Sequence, residues 1–353
     1  SIAVGLVSAP AGNTSAASTS TDNTVTYDTV RPTLTSINRS TGATNPTNTG
    51  PLTWTATFVE PVSGVTASNF GVATSGITGT APSITSVATT DGSTLSTTWV
   101  ITVSTTGAIG ANAGSIGVNL TSATGIADAA TNTLSTATLT GQTYTYDTTV
   151  PTVTVALAAA SDTGSSSSDG ITSAATLTYN VTFSESVTGL ATGDFSLSGT
   201  SCTLGVLSGS GTTYTLTVTS CADGASVGLS VLANAVSDAA GNSGPAATTA
   251  AATVTIDRTG PTVTINQAAT QADPANASPV LFRVVFSEPI NVASFTAADV
   301  TIGGTATGTR TVTISQLSPT DGTTFQASVS SITSTAQTGG TVIASIAVGL
   351  VSD

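Results

Sequence analysis

The 353-residue chain has only three glutamates, Glu60, Glu185 and Glu288, and each holds the same place in a repeated motif. The motifs are Phe58-Val59-Glu60-Pro61-Val62, Phe183-Ser184-Glu185-Ser186-Val187 and Phe286-Ser287-Glu288-Pro289-Ile290. Two sets of aspartates recur with them. Asp28, Asp147 and Asp257 stand four residues ahead of Pro32, Pro151 and Pro261, and Asp128, Asp238 and Asp353 stand late in each repeat. These nine residues are half of the 18 acidic residues, so scattered surface charge is a poor account of them. Three carboxylates brought together would repel one another, by about 1 kcal/mol per pair at 4 Å in water and more when less hydrated. A divalent cation reverses that sign. Calcium accepts about six to eight oxygens in loose geometry, whereas magnesium asks for a stricter octahedron. Calcium is therefore the expected cofactor, with Asp28, Glu60 and Asp128, then Asp147, Glu185 and Asp238, then Asp257, Glu288 and Asp353 as metal ligands. Asp194 and Asp299 open the third strand of their repeats, with Asn69 at that place in the first, and are expected to add a further oxygen. The competing reading is that these acids cap turns and pair with the few arginines.

The rest of the composition narrows the chemistry to oxygen. Histidine, lysine and methionine are absent and the five basic residues are all arginine, against a formal charge of −13. Triads built on histidine and histidine-zinc sites are excluded within this segment, and no basic patch exists to hold nucleic acid or an anionic membrane. Paired carboxylates could serve a glycosidase, which places its two about 5 to 10 Å apart. Repetition in every unit argues against that, as do the 4% aromatics, and Trp54 and Trp99 are expected to fill a core. No catalytic residue is assigned, and an enzyme is not expected. Only 7% of residues are charged, yet the apolar positions alternate with Thr and Ser, and no apolar run approaches the roughly 20 residues that span a bilayer.

The elements that must position the acids read as strands. In the second unit, alternating or apolar runs predict strands at 152–158, 175–183, 195–198, 203–207, 214–219, 226–235 and 251–256, separated by turn signals such as Ser208-Gly209-Ser210-Gly211 and Ala222-Asp223-Gly224. Seven short strands make a two-sheet sandwich. No segment shows helical periodicity. In a Greek-key sandwich of this size, the start of the domain, the loop after the second strand and the loop after the sixth share one pole, which is where the three acidic registers fall. Asp91-Gly92 and Asp321-Gly322 mark turns before the fifth strands of the other units.

The units are joined by Tyr27-Asp28-Thr29-Val30-Arg31-Pro32-Thr33, Tyr146-Asp147-Thr148-Thr149-Val150-Pro151-Thr152 and Ile256-Asp257-Arg258-Thr259-Gly260-Pro261-Thr262. Proline fixes its own φ and ends ladder bonding, so each is a short semi-rigid link. The octet Ser-Ile-Ala-Val-Gly-Leu-Val-Ser at 1–8 returns unchanged at 345–352, an offset of 344 residues that reads as one turn of a three-domain period. The expected domains are 31–149, 150–259 and 260–353. Residues 1–30 are expected to be the final strands of a preceding domain, and 260–353 to lack its last strand. An unpaired edge and an orphan strand are complementary. The missing strand follows residue 353 in a longer tandem chain, which the repeats favour, or comes from the next copy.

The chain resembles the tandem bacterial Ig-like domains of large surface proteins. The resemblance is carried by the three Phe-x-Glu motifs above, by Gly193-Asp194-Phe195, by Asp238-Ala239-Ala240-Gly241-Asn242 and by the Asp-Thr-Thr-x-Pro junction, and it covers nearly all of the chain. It implies an all-β fold of tandem Ig-like Greek-key β-sandwiches in an elongated rod. It also implies a place among adhesins, biofilm proteins and surface-layer proteins, extracellular or at the cell surface. Two cysteines, Cys202 and Cys221, would be free thiols inside a cell and a disulfide outside it; with the other signals extracellular, a disulfide at the opposite pole is expected. The expected function is the structural body of a surface filament, fibre or layer with calcium-stiffened junctions. The alternatives are the stalk of a giant adhesin and a glycan-binding module. Expected partners are further copies or repeats head to tail, with a receptor or glycan for the alternatives. Asn-x-Ser/Thr sequences at Asn13, Asn38, Asn119, Asn180 and Asn276 are weak signals in so threonine-rich a chain.

Overall fold

The computed structural model describes every residue except 1–7, 18, 20, 23, 165, 167, 200 and 334–338, and the side chains of 111–113 also lie outside the description. The first octet thus lies outside the described residues apart from Ser8. The chain forms two compact units, residues 1–149 with 240–242 and residues 150–239 with 243–353. It is all-β, and its described helical residues are short 3₁₀ turns.

In the first unit, β1 (Leu34–Arg39), β2 (Leu52–Val62), β3 (Phe70–Gly79), β4 (Ser83–Ala88), β5 (Ser96–Ser104), β6 (Ala108–Leu120) and β7 (Leu139–Tyr146) make a seven-strand sandwich. One sheet has the order β1-β2-β5-β4 and the other β3-β6-β7. Sequence alternation explains the layers. In Leu52-Thr-Trp54-Thr-Ala56-Thr-Phe58 every second side chain is buried, because successive residues of a strand face opposite ways. The core between the sheets holds Trp54, Ile101, Ile116, Val118 and Tyr144. Trp54 meets Tyr144 edge to face at 4.9 Å and donates from Nε1 to the Gln142 carbonyl at 2.8 Å. Trp99 is buried in the same core.

The second unit contains two further cores. The first is built from β8 (Val153–Leu157), β9 (Ile171–Thr172), β10 (Thr176–Val187), β11 (Phe195–Ser198), β12 (Thr203–Thr219), β13 (Ser226–Val231), β14 (Val236–Ser237), β15 (Ser243–Gly244), β16 (Thr249–Ala250) and β17 (Val254–Ile256). Its sheets run β12-β10-β8 and β11-β13-β17-β9, with β16 also on β13 and β14 paired to β15. The two strands expected at 203–207 and 214–219 run together as β12, which doubles back on itself. Val206 N donates to Thr217 Oγ1 at 2.8 Å and the Ser208 and Thr215 hydroxyls meet at 2.8 Å. Gly209 and Gly211 turn the chain with φ of 106° and 67°, a region that costs glycine nothing. The Cys202–Cys221 disulfide closes the open end of this hairpin. The strand expected to reach 235 stops at Val231, before Asn234 turns left-handed at φ 58°, and the strand expected over 251–256 is confined to Val254–Ile256.

The last core is built from β18 (Val263–Gln267), β19 (Val280–Phe286), β20 (Val300–Gly303), β21 (Thr311–Gln316), β22 (Thr324–Ser330) and β23 (Ile343–Ile346). One sheet runs β18-β19-β22-β21, and β20 pairs only with β23 among the described residues. Phe286, Phe295 and Phe325 pack edge to face in its centre, with centroids 5.2 to 5.8 Å apart.

Candidate metal centres

Each glutamate is aimed by a break in strand pairing. β2 and β5 pair regularly as far as Thr57↔Thr98 and resume at Val62↔Ser96, so four residues of β2 oppose one of β5. β10 and β12 repeat this between Thr182↔Thr213 and Val187↔Gly211. A bulge of this kind bends the strand and re-aims the side chains in it. Pro61 adds a local cause, since it has no N–H to give to the ladder. In the last domain Phe286 N bonds the Thr323 carbonyl and Ile290 N the Gly322 carbonyl, again bracketing the glutamate.

In the first unit, one carboxylate oxygen from each of Asp28, Glu60 and Asp128 lies within 4.8 Å of the others. Asp28 sits in the link before Pro32 and accepts from Val30 N at 2.8 Å. Asp128 is only 5% exposed. Burial opposes its charge, but bonds from the Asn132 side chain and backbone, and then from the Ala130 and Thr131 backbones, outweigh it and hold its carboxyl below the ordinary value. Glu60 goes the other way. Desolvation first, then the charges of Asp128 and Asp28, raise its carboxyl above the usual range. The cluster is thus three like charges, with that of Asp128 held by hydrogen bonds and that of Glu60 opposed by its neighbours.

The same geometry recurs in the second unit, where oxygens of Asp257, Glu288 and Asp353 lie within 4.8 Å of one another. Glu288 is raised by desolvation and by the charges of Asp257 and Asp353. Asp257 also accepts from Thr259 N at 3.0 Å. Of the remaining set, Asp147 belongs to the first unit and Glu185 and Asp238 to the second. Asp147 is buried and accepts from Thr149 N at 2.8 Å. Glu185 is half-buried in the bulge of β10, and Asp238 is buried directly after β14.

Asp194 and Asp299 are engaged in capping. Each closes the 3₁₀ turn ahead of the third strand of its domain, accepting from Ala191 N at 2.8 Å and from Thr296 N at 2.7 Å respectively. Asn69 does the same for Thr66 N at 2.7 Å. These three residues fit the turn-capping alternative, and none is in the clusters above. Four of the five arginines donate to carbonyls: Arg31 to Thr133 and Leu134, Arg39 to Thr143, Arg258 to Ser173, Ala174 and Cys221, and Arg310 to Ile302 and Gly303.

Sequence reasoning passed over an asparagine. Asn132 Nδ2 donates to the Asp28 carbonyl at 3.2 Å and to Asp128 Oδ2 at 2.9 Å, and its backbone N–H donates to Asp128 Oδ1 at 2.8 Å. Asn242 Nδ2 donates to the Asp147 carbonyl at 3.0 Å. The residue before each is left-handed, Thr131 at φ 71° and Gly241 at φ 94°. The loop at 128–132 therefore clamps the junction aspartate by its backbone while orienting its own, and Asn242 holds the backbone of Asp147 in the same way. The repeated asparagine four residues after the late aspartate was the available signal.

Residues 147–255 match the family described as bacterial Ig-like domain. No curated protein matches the chain. Among solved structures, the S-layer protein rSbsC(31-844) and the surface layer protein SbsC, domains 1-6, align over 89% of this chain at 14% and 15% identity, each with a TM-score of 0.22. The chain spans about half the length of each, with 54% of those chains covered.

Proposed function

We propose that this chain is an extracellular structural protein, part of the body of a surface fibre or layer, and that its acidic poles hold calcium that stiffens the junctions. The observation that carries the reading is the recurrence of one arrangement: a junction aspartate, a bulge glutamate and a late aspartate with oxygens within 4.8 Å. The donor set is all carboxylate, which suits a hard cation. Bound calcium would supply the positive charge that the cluster lacks. It would tie Asp257, in the link, to Glu288 and Asp353 of the sandwich that follows, and Asp28 in the same way to Glu60 and Asp128. Its role in this reading is mechanical: it neutralises the acids and ties the link to the sandwich. The stalk of an adhesin would use the same poles, differing in what lies at its tip. A glycan-binding reading has less support, because both tryptophans are buried in the first core.

Glu60→Gln and Glu288→Gln test the proposal by a reversal of sign. In chelator each should leave the melting temperature unchanged or raise it, because one of three repelling charges is gone. In calcium each should lower it relative to the parent chain, and calorimetry should show weaker binding at that pole by about tenfold or more, since charge count tunes calcium affinity. Equal melting temperatures for the parent chain in calcium and in chelator, with no heat of binding, would remove the cation from the account.

A further inference from the structure

The link from β17 to β18 carries a second anchor besides Asp257. Directly after the three junction aspartates stand Thr29, Thr148 and Arg258. Thr148 reaches Gly110, whose carbonyl accepts from its N–H at 3.1 Å and from its Oγ1 at 3.2 Å. Arg258 reaches three carbonyls on two segments. Its Nη1 donates to Cys221 at 2.8 Å, its Nη2 to Ala174 at 2.9 Å and its Nε to Ser173 at 3.3 Å. The backbone of the link is gripped as well. Arg258 N donates to Asp223 Oδ1 at 2.7 Å and Thr259 Oγ1 to Asp223 Oδ2 at 2.6 Å, so one carboxylate holds two successive residues. The bonds from Thr259 and from Arg258 outweigh desolvation and keep the Asp223 carboxyl below its ordinary value. All of these contacts of Arg258 and Asp223 lie inside the second unit.

The two cysteines of the chain meet at the same place. β12 pairs with β10 as far as Thr176↔Thr219, and Ser220 then turns left-handed at φ 59°. Cys221 therefore stands past the end of that ladder, tied back by its disulfide to Cys202 on the other side of β12. A few residues on, Gly224 N donates to the Ile256 carbonyl at 2.8 Å and Ile256 N to the Ala225 carbonyl at 2.8 Å. Residues 220–223 are thus a short arch with one foot on β17 and the other on the disulfide. Cys221 and Asp223, which grip the link, both belong to that arch.

Arg258 and Asp223 are exposed, where an isolated pair of charges contributes little. What gives the grip its strength is geometry. A guanidinium is a rigid planar fork of donors, so carbonyls from two segments hold it only while their spacing is fixed. The disulfide fixes that spacing on the side of Cys221.

We propose that the disulfide acts through Arg258 and Asp223 to hold the link at 257–259, so that its reduction frees the link and loosens the acidic pole to which Asp257 belongs. The reductant is a dithiol, which gives two electrons and two protons to the S–S bond, leaving two thiols, and closes to its own disulfide. Cys221 then loses its tether, and the carbonyl it offers to Arg258 is no longer held in place. Arg258 is a positioning residue: it fixes the backbone from which Asp257 projects. Coupling between sites is reciprocal, so a cation at that pole resists the reduction by the factor that reduction weakens the cation. The hold on the link is independent of the cation, and the effect on the pole rests on the calcium reading.

The test is amide hydrogen exchange at residues 257–259 of the 353-residue chain, oxidised and after dithiothreitol, beside Arg258→Gln. Reduction should speed exchange at the Arg258 amide of the parent chain by about tenfold, as a local opening made easier does. Oxidised Arg258→Gln should exchange fast from the start and gain little on reduction, whereas a disulfide that merely stabilised the sandwich would speed both alike. Cys202→Ala/Cys221→Ala should reproduce the reduced state without reagent. In calorimetry, reduction should weaken calcium binding by about fivefold, the low end of coupling between sites, and Glu288→Gln should lack that change. Faster exchange without any heat of calcium binding would keep the hold on the link and remove the pole from it. Unchanged exchange at 257–259 on reduction, or an equal rise in Arg258→Gln, would overturn the proposal. Loss of β circular dichroism on reduction would overturn it too, because the disulfide would then hold the sandwich and not the link.

Discussion

Two positions show what single residues contribute. Tyr179 is fully buried in the second core, and its hydroxyl has no hydrogen-bond partner among the described residues. A buried polar group left unpaired costs about 1 to 3 kcal/mol, so Tyr179→Phe is expected to stabilise this domain by about 1 kcal/mol in denaturant unfolding. Burial pushes the phenol up to about 12 from 10.0. The unfolded chain releases this proton near pH 10 while the folded one keeps it, so the parent chain should lose stability as pH rises from 10 to 12. The Phe variant should lack that part of the loss. Thr131 is the second case. A β-branched residue at φ 71° is strained, where Gly12 and Gly241 hold the same position without cost. Thr131→Gly is expected to raise stability by about 0.5 to 1 kcal/mol, the relief exceeding the added freedom of the unfolded chain; a lower denaturation midpoint would refute it.

At the scale of the element, the closing loop matters more than the strands it joins. Asn132 spans Asp28 and Asp128 with side-chain bonds of 3.2 and 2.9 Å, so it couples the link to the sixth-strand loop without any ion. Asn132→Ala would take a donor from a nearly buried carboxylate, and hydrogen bonds to charged groups are worth about 1.5 to 3 kcal/mol. A loss of that size is expected in denaturant unfolding, with faster hydrogen exchange at residues 28–30. Asn132→Asp should cost more in chelator than in calcium, because it adds a fourth carboxylate to the pole. A substitution that changes neither stability nor exchange would mean the loop is held by its backbone alone.

On the scale of the whole molecule, three separate cores predict separable unfolding. The last domain, with Val342, Ala344 and Ile346 only partly covered, should melt first. Both tryptophans lie in the first core, so tryptophan fluorescence reports that domain while circular dichroism reports all three. The two melting curves should not coincide. Coincident curves would show one cooperative unit and count against independent domains.

The sequence by itself determined the strand architecture and the membership of the acidic registers. Period-two alternation decides which side chains face inward, and prolines and glycines end the runs. The glutamates were legible because each is the sole one in its repeat. Tertiary structure decided the rest, since it depends on what approaches from far along the chain. Asp194 and Asp299 share the repetition of the ligand candidates, but a local backbone N–H three residues away claims each of them. Asn132 looks like any loop asparagine until the fold carries Asp28, 104 residues earlier, into hydrogen-bond reach. Val25 and Tyr146 carry the same apolar signal, yet one is bare and the other buried, because burial belongs to the neighbouring strand and not to the residue.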